Sequence, residues 1–484
     1  MALHTRMFEQ KVRDVMAAAA GVLRDDASIE EAWSACRTID APLAVLRADG
    51  GLAGIVTPRD ILDWLARGLD TSERLGKQLT VRPATIAGER CIFDALVEMR
   101  RVKAPALPVM DAGGKFLGMI TLTDILNAAV SPVCTLAQAA TSGEESLALA
   151  RLREGQVSLA DELLLANVAS DEVLSALSGI NAHVHRAVTR LLIQDLEHDG
   201  WGRPPVPYAV IVMGSGGRGE SNLGTDQDNA LIIADHDERD RLAIESYFIA
   251  FADRLTKGLA AAGLPLCKGN VMATSPVWRK SLSEWKTQMR QWVLRREPMH
   301  LLNTDVMIDM AHVEGDCELS SELRQQIMAM ITGQPDFVHA LYRIEESHGV
   351  ALDWLGRLAR EEDAIRGDRG IDLKLRGTLP LVEGARLAAL RYKVDALSTP
   401  ARLDGLAVCG AITRDTVEDL KDAFRTLSRM ILRQQIEDSR KGVTLRGVVD
   451  TSALARRDKA ELQQALNHVS RFRGTLPSLI GAST

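Results

Sequence analysis

Asp226 and Asp228 are separated by a single residue and follow a run of glycines, Gly214-Ser215-Gly216-Gly217-Arg218-Gly219. The apolar run 209–213 precedes the glycines, and a second, 230–233, follows the aspartates. The order reads as strand, glycine-rich turn, then a strand opened by Asp-x-Asp. Side chains alternate faces along a strand, so Asp226 and Asp228 face one way and Gln227 the other. Paired carboxylates beside a loop of free backbone N–H groups suit a divalent metal and phosphate, which is the equipment of nucleotidyl transfer. Gly214 and its neighbours allow close backbone approach, and Ser215 can hydrogen-bond a phosphate oxygen. Arg218 can clamp a phosphate bidentately or brace the loop by pairing with Glu220. Residues 306–310 read as an apolar strand with one central acid, which is costly unless paired or metal-bound. Asp309 is therefore the candidate third metal-site carboxylate, with Asp305 next in line.

The same glycines, Gly214-x-Gly216-x-x-Gly219, also match the dinucleotide-binding fingerprint, and Asp235 lies at about the right distance for a ribose contact. That fingerprint needs a helix beginning within the glycines. Residues 220–227 carry no helical apolar stripe, so an NAD enzyme is the weaker reading.

The elements around this loop fall into regions. At 484 residues the chain is too long for one core. Gly54-Ile55-Val56-Thr57-Pro58-Arg59-Asp60 recurs 64 residues later as Gly118-Met119-Ile120-Thr121-Leu122-Thr123-Asp124. Each copy reads helix, strand, turn, strand, helix, and a fixed period with one element order means duplicated units packed face to face. The boundaries drawn are 1–70 and 71–135 for the two copies, 136–200 for a helical linker broken at Gly143 and Gly155, 201–318 for the domain with the Asp pair, and 319–484 for an all-helical bundle. His183 and His185, two apart on a helix, do not share a face and read as solvated histidines. Trp278, Trp285 and Trp292 are seven apart and read as a core stripe on one helix. Around them lie Arg279, Lys280, Lys286, Arg290, Arg295 and Arg296.

Composition bounds the function classes. Charged residues make up 25% and hydrophobic residues 46%, as in soluble globular proteins. The net charge of −7 offers no basic footprint, so no nucleic acid is expected. Six dispersed cysteines without a CxxC pair read as buried free thiols of a reducing cytoplasm. No apolar run reaches membrane-spanning length and the first fourteen residues lack a signal-peptide core, so no membrane partner is expected.

The repeat Gly-h-h-Thr-x-x-Asp, where h is hydrophobic, resembles the tandem CBS pair, or Bateman module. The resemblance implies that Thr57, Asp60, Thr121 and Asp124 hold phosphate and ribose of an adenine nucleotide, although the same residues also suit helix caps. Gly-Ser, a ten-residue spacer and Asp-x-Asp resemble the nucleotidyltransferase superfamily that includes DNA polymerase β. The longer string GSGGRGESNLGTDQDNALI, with Cys267-Lys268-Gly269-Asn270, Pro276-x-Trp278-Arg279, Asp372-Leu373-Lys374 and Arg386-Leu387-Ala388, is similar to bacterial CBS-linked nucleotidyltransferases related to PII-protein uridylyltransferase. The fold class implied is multidomain α/β plus all-α: a CBS pair, a polymerase-β-like α+β domain with a mixed sheet, and a C-terminal helical bundle. The resemblance further implies Asp226, Asp228 and Asp309 as catalytic Mg²⁺ ligands, with Mn²⁺ as a substitute, and Gly214, Ser215, Arg218 and Lys268 as nucleotide-binding residues. It implies uridylyl or adenylyl transfer from an NTP to a protein acceptor, regulated through the CBS pair, which would also make a homodimer. The alternative from another class is a non-catalytic nucleotide-sensing scaffold.

Overall fold

The computed structural model describes residues 10–16, 21–38, 42–57, 60–61, 64, 67–79, 83–102, 104, 106–121, 124–125, 145–359 and 370–481. It divides into two compact units, Met1–Pro132 and Val133–Thr484.

In the first unit the repeat becomes two three-stranded sheets. The first copy contributes β1 (Val22–Arg24), helix α2 (Ile29–Thr38), β2 (Leu43–Leu46) and β3 (Leu52–Val56). The second contributes β4 (Ile86–Ala87), α4 (Ile92–Val102), β5 (Ala106–Met110) and β6 (Phe116–Thr121). In each copy the first strand runs parallel to the second, and the second pairs antiparallel with the third. The strands β1 and β4 extend the expected element order; at two or three residues they are too short to show alternation. The hairpin turns match: Asp49 accepts from the Gly51 N–H and Asp111 from the Gly113 N–H, while Gly50 and Gly114 take φ of +80° and +78°. Such left-handed backbone is where glycine is least strained. Ala44, Ala106 and Met119 form one apolar cluster with Leu52, Ile55 and Phe116, so the copies do bury faces against each other.

Two short helices, α1 (Val12–Val15) and α3 (Leu75–Gln78), set where each copy ends. Leu75 sits in the core of the first copy with Ile29, Leu43, Val45, Val56 and Ile61, and its N–H donates to the Ala27 carbonyl. The segment around α1 bonds instead to the second copy, through Val12 N–H to Arg90 and Arg13 N–H to Gly88. Residues 71–79, placed with the second copy by spacing, thus complete the first.

The second unit is built on a mixed four-stranded sheet in the order β10-β7-β8-β9. Its strands are β7 (Tyr208–Val212), β8 (Asn229–Ile233), β9 (Arg279–Ser281) and β10 (Ala311–Gly315); β7 pairs antiparallel with β8 and β10, and β8 parallel with β9. Helices α5 (Glu145–Leu165) and α6 (Ser170–His198) precede the sheet. Helix α5 runs unbroken through Gly155, and Gly143 lies outside the described residues. Helix α6 buries Ile180, Val184, Val188 and Leu192 at helical spacing and packs against β10 and α8 (Arg241–Ala261). Together they form part of the second unit's packing.

Helix α9 (Leu282–Arg295) opens with a capping box between Ser281 and Glu284 and buries Trp285 and Trp292. Trp285 Nε1 donates to the Leu231 carbonyl at 2.9 Å, which ties the helix to β8. Trp278 precedes β9 instead of lying on the helix, yet its ring joins the other two at 6.2 and 5.9 Å, so the core reading holds in altered form. Residues 298–308 form α10, not a strand: Pro298 stands at its first turn, and Asp309 is its C-cap. A five-residue apolar run fits a buried helix as well as a strand, and here the helix wins.

From 317 onward the chain is largely helical, as expected: α11 (Cys317–Thr332), α12 (Pro335–Glu345), α13 (Leu379–Tyr392), α14 (Thr399–Val408), α15 (Arg414–Arg440) and α16 (Arg456–Ile480). A π-helical turn, Lys374–Thr378, leads into α13, and β11 (Ile371–Asp372) pairs with β12 (Val448–Val449). Residues 380–390 of α13 are buried on every face, the mark of a helix at the centre of a core. Among the described cysteines, Cys91 and Cys267 are half-buried but Cys317 and Cys409 are exposed, so the expectation of buried thiols fails for these two. Among the described residues no helix is long and apolar enough to cross a membrane.

Leu75→Ala is expected to cost about 2–5 kcal/mol. Hydrogen exchange should lose protection in β2 and β3 before β5 and β6; loss in β5 and β6 first would place 71–79 with the second copy.

Candidate functional site

Gln227 orients the Asp pair. Its side chain is buried and donates to the carbonyls of Thr256 and Leu264, while its N–H donates to Pro265. Asn229, also buried, bonds Gln227 through its amide and accepts from the Ala273 N–H. Asp226 and Asp228 lie just before β8, on either side of Gln227, which bridges to Leu266, and both line a small cavity to whose wall Gln227 also contributes. Burial pushes the Asp228 carboxyl up to about 6, and Asp226 adds to the rise. The Cys267 thiol, hydrogen-bonded to Asp228, and the charges of Lys374 and Arg218 oppose it.

The glycines supply the facing wall. Residues Gly214–Gly217 form a single helical turn, α7, directly after β7. A Cβ on Gly214, whose φ is +56°, would lie 3.3 Å from Asp228 Oδ2. A Cβ on Gly217 would lie 1.7 Å from the Asp309 carbonyl oxygen, so only glycine fits there. The first N–H groups of a helical turn have no partner within it, which leaves those at Gly214 and Ser215 for an anion. A helical turn does begin within the glycines, contrary to expectation. It lasts one turn, however, and the strand that follows is antiparallel to β7, which is incompatible with a βαβ dinucleotide fold.

Asp309 sits elsewhere in this arrangement. It is fully buried; its Oδ2 accepts from Arg218 and Arg386 at 2.6 Å each, and its Oδ1 from Arg402 at 2.5 Å. Burial alone would raise its pKa, but Arg386, Arg402 and Arg218 outweigh burial and hold the carboxyl well below the usual range. Both oxygens are thus taken by guanidinium groups. Asp305 accepts from Arg386 Nη2 at 2.7 Å, and burial raises its pKa. Arg218 also bonds Glu220 at 2.7 Å, so of its two possible roles the brace is the one seen. Glu220 accepts in turn from the Thr399 N–H, and Leu223 N–H donates to Gln435 of α15. Among the described residues no cluster of three His, Cys, Asp or Glu could hold a metal. A hard cation at Asp226 and Asp228 would complete its oxygen shell from phosphate and water, as Mg²⁺ does. The donor set fits that ion.

Other expected residues are placed as follows. Ser215 is half-buried in α7, and Lys268 is exposed in the loop before β9. Arg279 donates to the carbonyls of Ala273 and Thr274, Lys286 pairs with Glu322 and Arg296 with Asp336, so these cations serve the fold. Thr57 and Asp60 cap each other: Thr57 N–H and Oγ1 donate to Asp60 Oδ2 at 2.8 and 2.6 Å, and Asp60 N–H donates to Thr57 Oγ1 at 3.2 Å. Thr121 and Asp124 repeat the arrangement at 2.8, 2.7 and 3.1 Å. Sequence reasoning missed Lys374, Arg402 and His185. Lys374 and Arg386 lie in strings that carry only the resemblance, and an unusual π-turn marks the first. His185, which reads as solvated, is buried, and burial lowers its pKa to about 4. His183 is half-buried.

Comparison with known proteins gives the domains. Residues 156–299 match the family described as "Putative nucleotidyltransferase DUF294", and residues 335–478 match the "Putative nucleotidyltransferase substrate binding domain". Residues 12–67 and 83–131 match the CBS domain. The chain therefore carries a tandem CBS pair, a domain of the nucleotidyltransferase type and its substrate-binding partner. A stretch of 114 residues is 32% identical to inosine-5'-monophosphate dehydrogenase of Mycobacterium leprae, covering 23% of this chain and 21% of that enzyme. The chain thus spans about a fifth of the length of this curated relative. Among solved structures, CBSX2 in complex with AMP is 22% identical with a TM-score of 0.23, covering 25% of this chain and 97% of that one. The CBS domain of a bacterial CNNM/CorC family Mg²⁺ transporter in complex with ATP is 22% identical with a TM-score of 0.24, covering 26% and 92%.

Asp309→Ala is expected to cost about 3–5 kcal/mol, because it leaves three buried guanidinium groups without their shared acceptor. The depressed carboxyl adds stability above the unfolded carboxylate range, and that stability is lost as pH falls through the lower folded value. Chemical denaturation near neutral pH checks this; a cost below about 1 kcal/mol would mean the cluster is not structural.

Proposed function

We propose that the chain is a Mg²⁺-dependent nucleotidyltransferase that moves a uridylyl or adenylyl group from an NTP to a hydroxyl of a protein acceptor. The observation that carries this reading is the Asp226–Asp228 pair set against the Gly214–Gly217 turn, with Asp228 under-compensated for its burial. Bound there, Mg²⁺ would neutralise and orient the triphosphate. Asp226 and Asp228 hold the cation. The N–H groups of Gly214 and Ser215, with the Ser215 hydroxyl, bind phosphate oxygens. Lys374, exposed and close enough to lower the Asp228 pKa, adds a positive charge from the substrate-binding region, and Lys268, next in the chain to the Cys267 whose thiol bonds Asp228, would add another. The acceptor oxygen attacks the α-phosphorus in line, the bond to the bridging oxygen breaks, pyrophosphate leaves and the hydroxyl proton passes to solvent. Asp309 and Arg218 hold the turn in place instead of touching the nucleotide.

Adenine nucleotide at the CBS pair, near Thr57, Asp60, Thr121 and Asp124, would regulate the transfer, and the pair would also dimerise the chain. The CBS match of both repeats supports the choice of nucleotide, since CBS domains have been solved in complex with AMP and with ATP. A second reading, a scaffold that binds nucleotide without transfer, draws on Asp309: its carboxylate is locked, leaving the site two acids.

Incubation with labelled UTP or ATP, Mg²⁺ and lysate should label one partner. Asp226→Asn should abolish this by at least the ~100-fold that loss of groups supporting a metal costs. Nucleotide binding without label on any partner would favour the scaffold. Because Asp228 must shed its proton to bind a cation, Mg²⁺-supported nucleotide binding should weaken by about tenfold per pH unit below about 6. A profile flat through that range would contradict the assignment of Asp228.

A further inference from the structure

His185 lies on α6 and is 4% exposed. Its Nδ1 sits 2.7 Å from the Asn181 carbonyl oxygen. A carbonyl only accepts, so Nδ1 carries the proton and Nε2 is left as a bare acceptor. Burial, helped by Arg186 and opposed by the bond to Asn181, holds the ring neutral down to about pH 4, so Nε2 stays an acceptor at working pH. Nε2 is itself buried and meets no hydrogen-bond partner among the described residues; the same holds for Oγ of Ser221, which is 1% exposed. A buried polar atom left unmatched is costly.

Both residues line the same cavity as Asp226 and Asp228, with Ser178 and Thr225 also on its wall. Its volume is about 30 Å³. That is too small for a nucleoside and above the roughly 10–15 Å³ that one ordered water needs. A water there can donate to His185 Nε2, accept from the Ser221 hydroxyl and donate its second proton to a carboxylate of the pair. Both orphan atoms, His185 Nε2 and Ser221 Oγ, are then satisfied.

We propose that His185 and Ser221 hold one ordered water against the Asp226–Asp228 pair, making His185 a positioning residue for the carboxylates. The proposal rests on reading that pair as a cation site. Helix α6, which precedes the glycine turn in the chain, lines the cavity with Ser178, Asn181, Ala182 and His185, and His185 would be its link to the carboxylates.

The test uses the full chain labelled with ¹⁵N-histidine. The expected spectrum has His185 as the Nδ1–H tautomer with a hydrogen-bonded Nε2, and Ser221→Ala should move the Nε2 resonance. An Nε2–H tautomer, or a resonance indifferent to Ser221→Ala, overturns the water whatever the activity. The second readout is the Mg²⁺ dependence of binding a non-hydrolysable nucleotide. His185→Leu should weaken it about tenfold, as loss of outer-shell partners does, and His185→Gln, whose amide oxygen can stand in for Nε2, should restore most of it. Equal behaviour of the Leu and Gln variants overturns the positioning role. Should His185→Leu fail to fold, Ser221→Ala carries the comparison. Absence of Mg²⁺ dependence in the wild-type chain overturns the reading of the pair, and the positioning role with it, while the ¹⁵N resonance still decides the water.

Discussion

The second unit is organised around one buried charge. Asp309 has no exposed surface and gathers Arg218, Arg386 and Arg402 onto its two oxygens. None of these groups could be buried alone, since an isolated charge in a protein interior costs far more than the fold's margin. Each must therefore be delivered to the others by the fold. Arg218 comes from the end of the glycine turn, Arg386 from α13 and Arg402 from α14. The turn that faces Asp228 and the helices of the substrate-binding region are thus parts of one electrostatic object. Acids outnumber the three cations: Glu220, Asp305 and Glu345 also crowd the cluster, and burial raises the pKa of Asp305 and Glu345. A proton on these acids brings the cluster closer to charge balance.

This arrangement separates two kinds of carboxylate. Asp309 is over-compensated, stays ionised and has both oxygens held by guanidinium groups. Asp228 is half-buried beside Asp226 with too little positive charge nearby, and its pKa rises to about 6. Environments that push acids in opposite directions mark different jobs. The locked acid holds the scaffold, and the frustrated pair is the place a cation would relieve. Gly217 joins the two, because only a residue without a side chain lets α7 rest on the Asp309 backbone.

Much of this is legible in the residues. The 64-residue repeat, the Asp-x-Asp facing and the glycine turn are local signals, written in spacing a few residues long. Gln227 is tied inward to the carbonyls of Thr256 and Leu264, although the Asp pair lies just before the strand that its spacing predicts it to open. The failures share a cause as well. Residues 306–310 carry an apolar run too short to tell helix from strand, and Asp309 reads as a ligand because two of its partners lie 77 and 93 residues away on helices still to come. His185 reads as solvated because nothing in a helical stripe says which polar residue another element will cover. The segment 71–79 reads as part of the wrong copy because sequence order says nothing of an exchange between neighbouring repeats. In each case the deciding interaction is long-range.

The central claim is that Asp226 and Asp228, not Asp309, form the cation and triphosphate site. The most direct measurement is a crystal structure of the chain with Mn²⁺ and a non-hydrolysable NTP, using the anomalous signal to locate the metal. The account predicts a manganese peak coordinated by Asp226 and Asp228, with the triphosphate against the Gly214–Gly217 turn and Asp309 still bound by its three arginines. A peak at Asp309, or a nucleotide with no metal at the pair, would contradict it.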